Sequence, residues 1–449
     1  MAEVIRTPLD ILNEVVADTA SNIHDYTKSP TDFTRNRKLN AETTLKVVLN
    51  MQGNSLNTEL LNAFPDIDQR MTASAFEQAK GKLCPEVFEH IFHEFTERID
   101  TSKKLDGKYR VFAIDGSDFT TNYNPKSNRV CDFKDEAKPY CQTHGNIMFD
   151  IENKIYADCY IQPKTESDER KAAIEIMKRM DHSYPSIVVM DRGYEGYNLL
   201  AHCDKINNLF YLIRVRTGAG GFKEIKALPN NECDVDIDVI VTSSTHYYAQ
   251  NNKTTPNLHL VQSVKKRHKA EVSACYRNRA WDHANILPIT YRAVKFKINE
   301  DGKDRWEVLI TNLNRFEFPL ERLKELYHQR WDIETSFRNL KYALGAINFH
   351  SKKDDFIDME LFAHLTMYNA TSACINAVPV KHSNHKHIYA IDFKMACQIV
   401  RRYYYLHNDK PYPMIYAEIA SYINPVRPGR ADERNVRIRP PVAFIYRVA

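Results

Sequence analysis

Three carboxylates in this sequence stand where they could handle phosphodiester chemistry. Asp115 closes the run Tyr109-Arg110-Val111-Phe112-Ala113-Ile114-Asp115-Gly116, and Asp191 closes Ser186-Ile187-Val188-Val189-Met190-Asp191-Arg192-Gly193. Both runs are rich in strand formers, and open α/β sheets place their ligands at strand ends. A charge at the end of a buried strand is costly unless it meets water, a cation or a donor. Glu334 lies in a segment of helical periodicity, with Tyr327, Arg330 and Lys341 at −7, −4 and +7 from it. At ~100° per residue on one helix, these four project within an arc of about 60°. Two Asp and one Glu suit a pair of Mg²⁺ ions about 3.5–4 Å apart, with Mn²⁺ as a substitute, which activate water or a 3′-hydroxyl and stabilise the leaving oxygen. Arg330 and Lys341 would then hold a nucleic-acid backbone, and Trp331 would stack on an extruded base. Each feature alone has a plainer reading. Asp before Gly is a common turn pair, and Glu334 with Arg330 and Arg338 makes the i,i+4 pairs of an ordinary amphipathic helix.

The elements that must position these residues follow from periodicity. Residues 1 to about 100 read as helices over Ile5 to Ala20, Ala41 to Met51, Asn57 to Ala63 and Ala73 to Ile99. The segments from Ser55 and from Thr72, joined through Phe64-Pro65-Asp66, are compatible with a helix-turn-helix or with any two-helix hairpin. Strands follow: the run ending at Asp115-Gly116, then Gly145 to Asp150 and Lys154 to Ile161 as a hairpin around Glu152-Asn153. A helix from Ser167 to Met180, the Asp191 strand, a helix from Tyr197 to Lys205 and a strand from Leu209 to Val215 complete the order β-β-β-α-β-α-β. Residues 216 to 305 resemble a β-rich insertion. Trp306 to Asn312 is one more strand, and Pro319 to Leu344 and Phe356 to Ala377 each read as one long helix. The fold class expected is therefore α/β, a mixed sheet interrupted by a β-rich insertion.

Composition narrows the function classes. With 449 residues, 43% hydrophobic and 27% charged, the chain is a multidomain globular protein rather than a disordered or membrane one. Net charge is only +4, but it is uneven: Lys265 to Lys297 carries nine Lys/Arg against Glu271 and Asp282, and Pro425 to Ala449 six Arg against two acids. Such patches fit phosphate-facing regions, or simply solvated faces. The nine cysteines are scattered without a C-x-x-C pair, and no apolar run could span a bilayer. The expectation is a reduced, cytoplasmic protein with no membrane partner.

The order of elements, with Asp115 on the first strand, Asp191 beside the fourth and Glu334 on a late helix, resembles the ribonuclease-H-like core of DDE transposases. Tyr327, Arg330, Glu334 and Lys341 resemble the YREK signature of the insertion-sequence-4 type, and Asp115-Gly116-Ser117 and Asp191-Arg192-Gly193-Tyr194 are similar to its contexts. The resemblance implies catalysis and metal binding by Asp115, Asp191 and Glu334, with DNA contacts from Tyr327, Arg330, Lys341, Trp331, Trp306 and Arg192. It implies double-stranded DNA partners, namely terminal inverted repeats and target DNA, a homodimer in the DNA complex, excision through a hairpin, and a place at the nucleoid. The corresponding domains are 1–104, helical and DNA-binding; 105–215 and 306–378, the two parts of the core; 216–305, the insertion; and 379–449, for dimerisation and DNA contact. Another ribonuclease-H-like nuclease would share the carboxylates without needing the groups around Glu334. A transposase-derived DNA-binding regulator would do without strand transfer.

Overall fold

The computed structural model describes residues 6–35, 38–132, 138–218, 220–261, 282–284, 286–300, 303–378, 389–406 and 414–426. The basic stretch 265–279 and the Arg-rich tail beyond 426 lie outside the described residues.

The chain opens with five helices, α1 (Pro8–Ser21), α2 (Ala41–Asn50), α3 (Leu56–Ala63), α4 (Ala73–Lys80) and α5 (Glu86–Arg98). Their starts are written in the sequence: Thr7, Asn40, Ser55 and Thr72 each accept a backbone N–H of the first turn. The helix expected over 73–99 is two. Gly81 caps the first and Pro85, which lacks an N–H, stands at the start of the second.

Next come β1 (Arg110–Thr121), β2 (Val130–Cys131), β3 (Tyr140–Asp150), β4 (Ile155–Pro163), α6 (Glu169–Arg179), β5 (Ser186–Met190), α7 (Tyr197–Lys205) and β6 (Leu209–Val215). The strand-rich stretch after them holds α8 (Lys223–Ala227), β7 (Cys233–Thr242), α9 (Thr245–Asn251), β8 (Leu258–Leu260), β9 (Leu287–Glu300) and β10 (Lys303–Thr311). All ten strands form one mixed sheet in the order β2-β3-β1-β5-β6-β10-β9-β7-β8, with β4 also on β3. β7 to β9 therefore extend the central sheet, through antiparallel pairing of β9 with β10 and with β7. The three strands β1, β5 and β6 at its centre are parallel.

Both faces of this centre are covered, so its inner stretches Val111–Ile114, Ile187–Met190 and Leu209–Ile213 are apolar runs rather than alternating ones. Val111 and Ala113 of β1, with Ile187 and Val189 of β5, face the core shared with the amino-terminal helices. Phe112, Ile114, Val188 and Met190 face α6 and α7. The remaining elements are α10 (Leu320–Gln329), α11 (Trp331–Tyr342), α12 (Asp354–Ala377), the strand β11 (Tyr389–Ile391), α13 (Phe393–Leu406), α14 (Met414–Ala420) and β12 (Ile423–Pro425), which pairs with β11. α12 is buried on all sides from Met359 to Ser372, packed against α1, α2, α5 and α13. No helix among the described residues is long and apolar enough to cross a membrane, and the eight described cysteines are free thiols.

A buried ionic cluster joins the amino-terminal helices to α12. His350 Nδ1 lies 3.2 Å from Glu360 Oε2 and its Nε2 3.8 Å from Glu59 Oε1, while Lys80 Nζ stands 3.5 Å from Glu360 Oε1. Burial alone would lower the pKa of His350, but Glu360 and Glu59 outweigh it and raise it to about 9. Both carboxyls are held below their usual range, against burial, chiefly by His350. Since the imidazolium is favoured in the folded state, its contribution is full below about pH 6.5 and is lost as pH rises through 9. The two carboxylates contribute above about pH 4.5 and lose that as pH falls. Urea denaturation at pH 6 and pH 9 should show stability lower by up to ~3 kcal/mol at the higher pH. In His350→Gln most of that difference should be lost, leaving the smaller share of raised groups such as His144; a pH response unchanged by the substitution would count against the cluster.

Candidate active site

β1 and β5 bring the two aspartates together. Their parallel register pairs Ile114 with Met190, so Asp115 and Asp191, one residue on, sit at adjacent positions of strands roughly 5 Å apart. Asp191 follows directly on β5, as its apolar run predicted. Asp115 does not end its strand: β1 continues to Thr121, pairing Gly116 with Asn146 and Thr120 with Gln142 of β3. Gly116 is thus not a turn residue. A Cβ there would lie 2.6 Å from His144 Nε2 and 2.9 Å from Glu169 Oε1, so glycine is required for close approach.

The helix expected over 319–344 is also two, α10 and α11, meeting at Arg330. The backbone stays right-handed there, φ −52° and ψ −30°, but the joint tightens. Arg330 N bonds Tyr327 O, and Ile333 N bonds Arg330 O, each at 3.1 Å and three residues apart. This joint aims Arg330 inward. Its Nη1 donates to Asp115 Oδ2 at 3.1 Å and its Nη2 to Glu334 Oε1 at 2.8 Å, while Nε is buried with no acceptor. Arg330 is therefore the cation that links a strand carboxylate to a helix carboxylate.

The electrostatics tie the three acids to one place. Burial pushes the Asp115 carboxyl up, Arg330 pulls it down, and Asp191 and Glu334 push it up again, leaving it at about 6. Asp191 Oδ1 accepts the Gly193 N–H at 2.7 Å. The phenol of Tyr194, fully buried below, is raised by burial first and then by Asp115, Glu169 and Asp191. Among the described residues, no three acidic, His or Cys side chains already stand at ligand distance of one point. Arg330 occupies the place between Asp115 and Glu334.

The other expected residues divide. Tyr327 is 7% exposed, and burial is the main reason its phenol is raised. Lys341 is half-buried: its Nζ donates to Asp118 O at 2.8 Å and lies 5.0 Å from the Phe119 ring centroid, so it braces β1 beyond Asp115. Trp331 is 45% exposed beside Arg330, and Arg192 is exposed next to Asp191. Trp306 stands further along β10, with Lys295 and Lys297 at 4.7 and 5.4 Å from its ring.

Four residues beside the aspartates escaped the sequence reading: Asp118, His144, Lys164 and Glu169. His144 Nδ1 is 2.5 Å from Asp118 Oδ1, which also pairs with Lys164 Nζ at 2.8 Å, and His144 Nε2 is 3.5 Å from Glu169 Oε1. Burial would lower the pKa of His144, but Asp118 and Glu169 outweigh it and raise it. Once β1 is taken past Gly116, Asp118 falls on it, and Asp118 pairs with His144 in the register of β3.

Among curated proteins none matches the chain. Among solved structures, it is similar to a piggyBac transposase synaptic complex with hairpin DNA, at 10% identity, covering 96% of this chain and 88% of that one with a TM-score of 0.44. A likeness that distant assigns no role to any residue. The family model described as the transposase DDE domain matches residues 106–370, more than half of the chain and a span that contains Asp115, Asp191 and Glu334, and the chain belongs to that family.

Proposed function

We propose that this chain is a DNA transposase of the insertion-sequence-4 type, with a ribonuclease-H-like core, that cleaves the ends of its element and joins them to target DNA. The observation that carries the reading is the meeting of Asp115 and Asp191 on neighbouring parallel strands, with Glu334 joined to Asp115 through Arg330. Membership of the transposase DDE-domain family supports it.

The donor set fits Mg²⁺. Three carboxylates offer hard oxygens, and the upward push of Asp191 and Glu334 on Asp115 is a repulsion that a divalent cation relieves. Asp115, Asp191 and Glu334 would hold the ions, which, when bound, activate a water or 3′-hydroxyl and stabilise the leaving oxygen. The remaining work belongs to side chains of this protein. Arg330, now shared by two carboxylates, would turn its planar fork to a phosphate beside them. Tyr327 and Lys341 would contact phosphates near a hairpin end, and the exposed face of Trp331 would stack on an extruded base. Trp306, flanked by two lysines, offers a second stacking face with charge for the backbone, and Arg192 is exposed to meet DNA next to Asp191. On this reading the partners are terminal inverted repeats and target DNA, engaged as a homodimer at the nucleoid in the cytoplasm.

The test mixes the purified full chain with Mg²⁺ and DNA carrying the element's own flanking repeats. The expected products are 3′ nicks at the repeat ends, followed by hairpin ends and strand transfer, all abolished by EDTA. Nicks without hairpins would remove the hairpin route and keep the transposase; no metal-dependent cleavage at the repeats would overturn the function.

A further inference from the structure

We propose that Glu169 is a fourth acidic residue of this centre, a ligand for the divalent cation on its Asp191 side, held in line by His144; the proposal rests on the function above. Glu169 opens α6 and reaches Gly116, midway along β1, and Gly193, just beyond the end of β5. A Cβ at Gly193 would lie 2.9 Å from Asp191 Oδ1 and 3.3 Å from Glu169 Oε2, so oxygens of both acids crowd the same point. On the other side, Glu169 Oε1 lies 2.9 Å from the Cβ position of Gly116, the neighbour of Asp115. The two glycines that follow the aspartates thus make room for one carboxylate between them.

An independent sign is His144. It is 2% exposed, and its Nε2, aimed into the space over Gly116, makes a long ion pair with Glu169 Oε1 at 3.5 Å. Its other nitrogen is fixed by Asp118, which Lys164 Nζ holds from the side at 2.8 Å. The ring is therefore locked in orientation by its cross-strand partner Asp118, and its Nε2 is turned to Glu169. An acid in the first turn of a helix is favourable with any ligand or none, but that accounts neither for the two crowded glycines nor for the locked ring. The Glu169 side chain is 41% exposed, so an ion can reach it from solvent, and its oxygens are of the hard class that Mg²⁺ and Mn²⁺ prefer.

The test titrates the full chain with Mn²⁺ alone, following free Mn²⁺ by electron paramagnetic resonance, without DNA or turnover. Wild type, Glu169→Gln, Glu169→Asp and Asp191→Asn are compared after each is shown to melt cooperatively without metal. Glu169→Gln is expected to weaken binding by about tenfold or more and Asp191→Asn by at least as much, with Glu169→Asp, which keeps the charge, between Gln and wild type. Glu169→Gln within about twofold of wild type, while Asp191→Asn loses the ion, overturns the role of Glu169 and leaves the proposed function standing. Wild-type affinity in Asp191→Asn overturns both.

Discussion

Asp191→Asn is expected to slow nicking at the element's ends by at least ~10³-fold while leaving the protein folded. The substitution keeps the shape and leaves an amide oxygen to accept the Gly193 N–H that Asp191 Oδ1 accepts at 2.7 Å, so the loop after β5 retains its anchor. What is lost is a charge at the point where β1 and β5 bring two aspartates side by side. Metal-assisted stabilisation of developing charge amounts to several kcal/mol, and each 1.36 kcal/mol is tenfold in rate. Single-turnover cleavage of labelled repeat DNA, with circular dichroism to verify the fold, reads the effect. A rate within about threefold of wild type, well under 1 kcal/mol, would remove Asp191 from the chemistry.

Arg401→Ala is expected to destabilise the protein by about 3–5 kcal/mol, the largest loss foreseen for a residue away from the site. Arg401, on α13, is 2% exposed, and its Nη1 donates to the carbonyls of Asn50 and Met51 at 2.7 Å each. Those carbonyls close α2, where a helix leaves its last acceptors without partners and favours a cation. Nη2 reaches Leu344 O at 3.4 Å, just beyond α11, so one guanidinium ties three segments together. Truncation strands buried acceptors and opens a cavity at once. Lysine would not restore the contacts, because one ammonium cannot match the spacing of the planar fork. Urea denaturation measures the loss; a change under about 1 kcal/mol would show that water replaces the guanidinium at little cost.

What the sequence disclosed depended on how local the cause was. The strand Leu209–Val215 and the helix Tyr197–Lys205 have the bounds read from periodicity, because their apolar patterns decide them. Asp191 was legible for the same reason, since Ser186 to Met190 is buried at every position and stops where the charge begins. Asp115 was legible as a residue but not in its setting. Asp-Gly is locally a turn signal, and only pairing with β3, about thirty residues away, carries β1 through it. The joint at Arg330 was hidden because its backbone remains right-handed, so the hydrophobic stripe runs on through it. That joint also alters the argument from a shared helical face. Arg330 and Glu334 meet, as spacing four predicts, but Lys341 turns to the carbonyl of Asp118 instead of joining them. His144 and Glu169 were invisible for a different reason: strand pairing and a helix start bring them beside the aspartates, and neither stands in a motif.

The central claim, that Asp115, Asp191 and Glu334 together hold the divalent cations, is tested most directly by crystals of the protein grown with Mn²⁺ and measured for anomalous scattering. The expected map has density bound by all three carboxylates, with Arg330 turned away from Glu334. Arg330 still bridging Asp115 and Glu334, with Mn²⁺ elsewhere or nowhere, would contradict it.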